Sequence, residues 1–172
     1  MENKTIILDK QAQNRAISRI AYEIIERNKG ADGVLIIGIK SRGEILASRI
    51  AQKIMQLEGN KVESLGIDIT PYRDDVEVQT KPPKPDFDIS GRRVVLVDDV
   101  LYTGRTVRAA LDAVFAMGRP SVIELAVLVD RGHRELPIRP DYIGKNLPTA
   151  RSEKVRVLVE EIDREEGVVL YK

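Results

Sequence analysis

Apolar positions along this chain keep switching between two rhythms. From Lys10 to Asn28 they fall at Ile17, Ile20, Ala21, Ile24 and Ile25, the three-and-four spacing of one helical face. From Gly33 to Ile39 they run almost unbroken, as in a strand covered on both sides. The alternation then repeats. Ser41 to Leu57 carries a stripe at Leu46, Ala47, Ile50, Ile54 and Leu57, and Lys61 to Ile69 reads as a strand after the Gly59-Asn60 turn. Arg93 to Val97 reads as a buried strand. Thr106 to Met117 is a helix with Val107, Ala110, Leu111 and Val114 on its inner stripe, and Ser121 to Val129 is a further buried strand. Strands alternating with helices predict an α/β fold around a mostly parallel sheet. At the margins, Thr5 to Leu8 suggests an edge strand. Val155, Val157 and Val159 alternate like a half-exposed strand, with Gly167 to Tyr171 pairing with it as a hairpin.

Two stretches break the rhythm. Residues 71–90 hold Pro71, Pro82, Pro83 and Pro85 among acidic residues, which predicts a long loop, and long loops inside compact domains are usually functional. Asp130 to Pro148 is irregular, with Gly132, Pro137, Pro140, Gly144 and Pro148. No repeat appears, and one domain over residues 1–172 accounts for the chain; that size buries about 70% of the unfolded surface. Composition adds exclusions. There is no cysteine, hence neither a disulfide framework nor a thiolate metal site, and the lone His133 excludes a multi-histidine site. The 28 basic and 27 acidic residues leave a net charge of +1, so composition alone does not announce a nucleic-acid binder, although it leaves a local basic face open. The start, Met1-Glu2-Asn3-Lys4, is polar, no run is long enough to span a bilayer, and a cytoplasmic location is expected.

Candidate chemistry concentrates in Val94 to Thr106. An apolar run ends in two adjacent acids, Asp98 and Asp99; Tyr102 to Thr106 then turns into a helix. In open parallel sheets ligands sit outside the carboxyl ends of the strands. Gly104 allows backbone to approach a ligand, and the free N–H groups at the helix start favour an anion. Thr103 and Thr106 add hydroxyls. A phosphomonoester fits this cradle, and ionised carboxylates beside it suit sugar hydroxyls. The plainer reading, strand-end acids followed by an N-cap, leaves two neighbouring acids without a partner. Neither a Walker lysine motif nor Gly-x-Gly-x-x-Gly is present. Gly38 to Gly43 repeats the strand-to-helix logic, and Ser41 with Glu44 matches a Ser-x-x-Glu capping box.

The segment Val97-Asp98-Asp99-Val100-Leu101-Tyr102-Thr103-Gly104-Arg105-Thr106 resembles the signature of type I phosphoribosyltransferases, which bind phosphoribosyl pyrophosphate (PRPP). Leu128 to Arg139, Gly144-Lys145-Asn146, Gly38 to Gly43 and Tyr72 to Asp75 extend the likeness nearly end to end, toward the PyrR family of pyrimidine-operon regulators that are also uracil phosphoribosyltransferases. The chain departs from that family's usual residues at Ser18, Tyr22, Ser41 and Pro71. The resemblance implies the type I fold with a lid over about 71–90 and a hood over about 130–148. It implies that uracil and PRPP give uridine monophosphate (UMP) and pyrophosphate, with magnesium entering with PRPP near Asp98 and Asp99. Asp98, Asp99 and Arg42 would be catalytic, and Val100, Leu101, Tyr102, Thr103, Gly104, Arg105 and Thr106 would hold the ribose phosphate. Ile39, Lys40, Ser41, Arg42 and Gly43 would meet pyrophosphate, Arg73 and Asp74 would belong to the lid, and Val129, Asp130 and Arg131 to the uracil hood. A leader mRNA hairpin, bound more tightly with UMP or UTP present, would meet Ser18, Arg19, Tyr22, Arg27, Arg134, Arg139 and Lys145. At least a dimer is expected. Two rivals remain: a phosphoribosyltransferase without RNA control, and a nucleotide-sensing regulator without chemistry.

Overall fold

Strands β1 (Lys4–Leu8), β2 (Val34–Ile39), β3 (Glu63–Ile67), β4 (Arg93–Leu101), β5 (Val122–Asp130), β6 (Tyr142–Asn146), β7 (Lys154–Leu158) and β8 (Gly167–Tyr171) alternate with helices α1 (Lys10–Asn28), α2 (Arg42–Glu58), α3 (Arg105–Ala116) and the single turn α4 (Glu160–Asp163). The computed structural model describes residues 3–77 and 86–172, so Pro82, Pro83 and Pro85 of the expected lid lie outside the described residues. Five strands form a parallel sheet in the order β3-β2-β4-β5-β6, and β1, β8 and β7 form a small antiparallel sheet. Among the described residues no helix is long and apolar enough to cross a membrane.

The unbroken apolar runs follow from cover on both faces. Along β4, Val95 and Val97 point to one core with Ile36, Ile20, Ile24, Leu46 and Ile50, so α1 and α2 lie on that side. Val94 and Leu96 point to the other, with Leu35, Ile37, Val107 and Val114, where α3 lies. Period-two alternation thus turns a continuous run into two half-cores. Helix α1 starts where the Asp9 carboxylate accepts the Ala12 N–H at 2.8 Å and stops at left-handed Lys29.

Two sequence expectations need correction, and a third gains detail. First, β4 does not end before the acids. It runs through Asp98 and Asp99 to Leu101, with Asp98 opposite Val127 and Leu101 opposite Asp130. The ladder is a backbone property and continues where the side-chain pattern turns polar. Second, 130–148 is not wholly irregular, because Tyr142–Asn146 pairs in parallel with β5 as an edge strand. Its Gly-Lys-Asn end carries no strand signal. Third, the 71–90 loop is anchored at both described ends. Thr70–Tyr72 forms a 3-10 turn whose Tyr72 carbonyl accepts Arg108 Nη2 at 2.8 Å, and Ile89 is completely buried beside α3.

Candidate active site

A polar cleft of about 300 Å3 opens at the carboxyl ends of β2 and β4. It is lined by Ile39, Lys40, Ser41 and Arg42 from the β2–α2 turn, Asp98, Asp99 and Val100 from β4, Thr106 from α3, and Asp68, Ile69, Thr70 and Arg73 after β3. The acid pair, most of the expected pyrophosphate loop, one lid residue and the start of α3 therefore share one space. Asp68, Ile69 and Thr70 were not expected there. Asp68 Oδ1 accepts the Thr70 N–H at 2.9 Å, and hydrogen bonds from Thr70 hold its carboxyl below the usual range. An aspartate two residues before a threonine at a strand end is an Asx-turn signal.

The β2–α2 turn is tight because of its glycines. A Cβ on Gly38 would lie 2.3 Å from the Gly43 carbonyl oxygen, and one on Gly43 would lie 2.7 Å from that of Val97. The Lys40–Ser41 peptide is cis. The expected capping box does not form. Ser41 already has helical backbone angles and its side chain caps nothing, while Glu44 reaches over Gly66 instead. The first amides of α2 are thus left without a side-chain acceptor, beside the cleft. Arg42, expected on pyrophosphate, bonds to Asp163 at 2.6 and 3.2 Å.

Asp98 is only 6% exposed. Burial, and then the neighbouring Asp99 charge, push its carboxyl well above the ordinary range. Asp98 Oδ1 accepts the Asp99 N–H at 2.9 Å, and Asp99 Oδ1 accepts the Val100 N–H at 2.8 Å. Ionising both acids together is costly unless hydroxyl donors or a cation enter the cleft. No group of three or more His, Cys, Asp or Glu residues suited to a metal exists among the described residues. Two carboxylates still fit magnesium, which is commonly bound through one or two protein carboxylates with the rest of its shell from water and ligand oxygens.

The turn after β4 enters α3 through Gly104, whose φ of +93° is the left-handed conformation that a side chain disfavours. No side chain caps that helix start, although Thr103 Oγ1 accepts the Arg105 N–H at 3.3 Å. Leu101 is buried, so only its backbone can face a ligand. Arg105 turns outward to Glu135 at 2.9 Å and Asp74 at 3.1 Å, bridging hood and lid rather than facing an anion. Arg73 is paired with Asp75 at 2.5 Å.

The hood grips this turn from behind. The Thr103 carbonyl accepts the N–H groups of Glu135 and Leu136 at 2.9 and 3.2 Å. Arg134 donates to the Tyr102 carbonyl at 2.9 Å, the Ile138 carbonyl at 2.9 Å and Asp130 at 2.6 Å. Arg131 is buried, with its guanidinium 4.2 Å from the centre of the Tyr102 ring. It donates to Thr149 Oγ1 and to the carbonyls of Ala150 and Glu153, at 3.2, 3.0 and 2.8 Å. His133 meets the same ring edge-on and its Nε2 lies 2.6 Å from the Thr149 carbonyl. Val129 belongs to the core. Of the three expected uracil contacts, Val129 and Arg131 thus have only main-chain groups to offer.

The expected RNA residues divide. Ser18, Arg19 and Tyr22 line one shallow groove of α1, interleaved with Glu23 and Glu26, and Tyr22 is exposed. Arg19 donates to the carbonyls of Gly144 and Ile143 on β6, which ties that groove to the strand bearing exposed Lys145. Arg27 is occupied by Glu124 at 2.8 Å and Asp141 at 2.9 Å and lies over the Tyr142 ring. Arg139 is exposed on the hood. Arg134 lines a groove of the hood with Arg139 and Ile143, and its guanidinium is held by the hood and the turn.

Comparison with known proteins closes the description. The model of the phosphoribosyl transferase domain matches residues 3–163. Bifunctional protein PyrR of Bacillus subtilis (strain 168) is 56% identical over 100% of this chain and 99% of its own length. Its counterpart in Bacillus cereus (strain AH820) is 52% identical over 99% of each. Among solved structures, the hypoxanthine phosphoribosyltransferase of Trypanosoma cruzi in complex with the product IMP superposes with a TM-score of 0.75 at 20% identity, over 99% of this chain and 91% of that one. A Staphylococcus aureus hypoxanthine phosphoribosyltransferase gives 0.73 at 17%, over 96% and 89%. At such identities the two structures speak for the fold.

Proposed function

The chain belongs to the phosphoribosyltransferase family and, within it, to the bifunctional PyrR proteins, and from that membership we propose a reaction and a regulatory activity. The protein converts uracil and PRPP into UMP and pyrophosphate. It also binds the leader mRNA hairpin of a pyrimidine operon, more tightly with UMP or UTP bound. It works in the cytoplasm as a homo-oligomer, each chain one domain with a lid over about 71–90 and a hood over about 130–148.

One observation carries this reading: the acid pair, the β2–α2 turn and the start of α3 open on one cleft at the carboxyl edge of a parallel sheet. In the proposed mechanism, the segment Val100 to Thr106 holds the 5-phosphate through those of its backbone amides that Asp99 and Thr103 do not already take. Asp98 and Asp99 accept the ribose hydroxyls and orient the sugar. Amides of the turn from Ile39 to Gly43, with Arg42, receive pyrophosphate. Arg73 exchanges Asp75 for the same group as the lid closes, and Asp74 rides with it. Closure excludes water from a sugar with oxocarbenium character. Uracil N1 bonds to C1 and loses its proton while the bond from C1 to the pyrophosphate oxygen breaks. Main-chain groups of Val129, Asp130 and Arg131 face the base edge. Asp98 and Asp99 would hold magnesium that arrives with PRPP, and it would supply positive charge at the leaving group.

The RNA surface in this reading is Ser18, Arg19, Tyr22, Arg27, Arg134, Arg139 and Lys145. Arg134 contributes by shaping the hood. Splayed hairpin bases suit basic and stacking side chains, which fits Tyr22 beside Arg19.

The test is uracil-dependent release of pyrophosphate from PRPP. A charge-assisted hydrogen bond is worth about 1.5–3 kcal/mol, so Asp98→Asn or Asp99→Asn should lower kcat/KM roughly ten- to a hundredfold. Unchanged turnover in both variants would remove the acids from the mechanism. Titration with a leader hairpin, with and without UMP, tests regulation; equal affinity for a scrambled hairpin would leave only the enzyme.

A further inference from the structure

Arg42 is the first residue of α2 and lines the cleft, yet one edge of its guanidinium is committed elsewhere. Nε and Nη2 donate to the two carboxylate oxygens of Asp163 at 3.2 and 2.6 Å. Asp163 is the last residue of α4, 121 positions along the chain. Its Oδ2 also accepts the Val159 N–H at 2.9 Å, so the carboxylate is fixed from two directions. Both side chains are largely withdrawn from solvent, 27% and 13% exposed, a setting in which a forked pair holds its geometry better than on an open surface. A guanidinium has five donors in a rigid fork. The pair engages the Nε edge, and among the described residues Nη1 has no hydrogen-bond partner. The negative charge of Asp99, across the cleft, also acts on Arg42.

A second pair shows what bracing alone looks like. Arg49 stands seven residues further along α2, on the same helical face, and bonds to Glu161 at 2.7 Å and Glu166 at 2.5 Å. It joins the same two layers, α2 and the α4–β8 segment, but it does not line the cleft. The layers are therefore already fastened without Arg42.

We propose that Asp163 is a positioning residue for the pyrophosphate end of the site: it holds Arg42 by the Nε edge so that the other edge meets the leaving group. This role rests on the phosphoribosyltransferase reading above. It predicts that substrates and products bearing pyrophosphate sense Asp163, whereas UMP, which lacks it, does not.

The test uses this whole chain and three measurements: binding of inorganic pyrophosphate and of UMP by calorimetry, and steady-state turnover of uracil with PRPP. Asp163→Ala should weaken pyrophosphate binding and raise KM for PRPP about tenfold, with UMP affinity unchanged. Asp163→Asn keeps one acceptor and should recover part of the loss. Glu161→Gln, in the neighbouring brace, should change none of these constants. In an Arg42→Lys background, Asp163→Ala should add little, because the two residues act as one unit. If Asp163→Ala fails to fold, Asp163→Asn carries the same test with a nearly isosteric side chain. Wild-type turnover with pyrophosphate binding unchanged or tightened in the Asp163 variants would overturn the positioning role alone. Absence of uracil-dependent turnover in the wild type would overturn the reaction, and this role with it.

Discussion

The turn that enters α3 and the segment Arg73 to Asp75 border the same cleft but are fastened in opposite ways. Behind the turn, Arg131 and Arg134 spend their donors mainly on backbone carbonyls, and the Tyr102 ring is in contact with both Arg131 and His133. On the lid, Arg73 meets Asp75, and Asp74 meets Arg105, as exposed ion pairs. An exposed pair is screened and nearly neutral in free energy, so its partners can be exchanged at little cost. An arginine buried on carbonyls has no such alternative, because leaving would strand several acceptors away from water. The same residue type thus makes a fixed joint on one side of the cleft and an exchangeable latch on the other.

Breaking the fixed joint should have the largest effect on stability. Arg131→Ala strands the acceptors at Thr149, Ala150 and Glu153 and uncovers the Tyr102 ring. A loss of about 3 kcal/mol, or roughly 10 °C in Tm, is expected by thermal or urea unfolding. Arg134→Ala should cost somewhat less, about 1.5–3 kcal/mol, because its side chain is partly exposed. It should also weaken UMP binding measured by calorimetry, since the Tyr102 carbonyl loses its tether. Full UMP affinity in that variant would separate the hood from the turn.

Asp98 offers a gentler test with a defined sign. Its carboxyl is raised above its ordinary value of 3.8, so over that window the folded protein holds a proton that the unfolded chain has released. Stability from this group is complete below the ordinary carboxylate range and is lost as pH rises through the raised value. Asp98→Asn should therefore be more stable than the wild type near neutral pH, and the gap should close toward acid pH, while turnover falls. A gap that widened on acidification would reverse the assignment. Smallest of all, Arg73→Ala and Asp75→Asn should leave Tm unchanged, and only Arg73→Ala should raise KM for PRPP. A clear drop in Tm for either variant would show that the latch is as fixed as the joint.

The contrast between joint and latch also marks what could be read in advance. Helix α1 is legible from Lys10 to Asn28, because its apolar positions keep the three-and-four spacing of one face. The acid pair and the Gly104 turn are legible because an apolar run, two acids and a glycine turn precede a helical stripe, although β4 itself runs on to Leu101. The side-chain partners are not. Nothing local distinguishes Arg134, folded onto the hood, from Arg139, exposed beside it, because the difference lies in which carbonyls the tertiary fold brings within reach. Arg42 and Asp163 meet only because the antiparallel sheet carries α4 back over α2. Strand β6 hid for a similar reason. An edge position asks little of side chains, and Gly-Lys-Asn pairs there through backbone alone.

The uncapped start of α3 has one last consequence. In the proposed reading the chief groups that would receive an anion there belong to the main chain, which every amino acid but proline carries alike. Drift at Tyr102, Thr103 or Arg105 can reshape the rim of such a cradle without deleting its donors, and no change of acidity neutralises them. The weak point is the path of the chain at Gly104, where a single methyl group would bend the cradle itself. If the proposed cradle holds a phosphate, evolution can retune its surroundings far more freely than it can lose the grip.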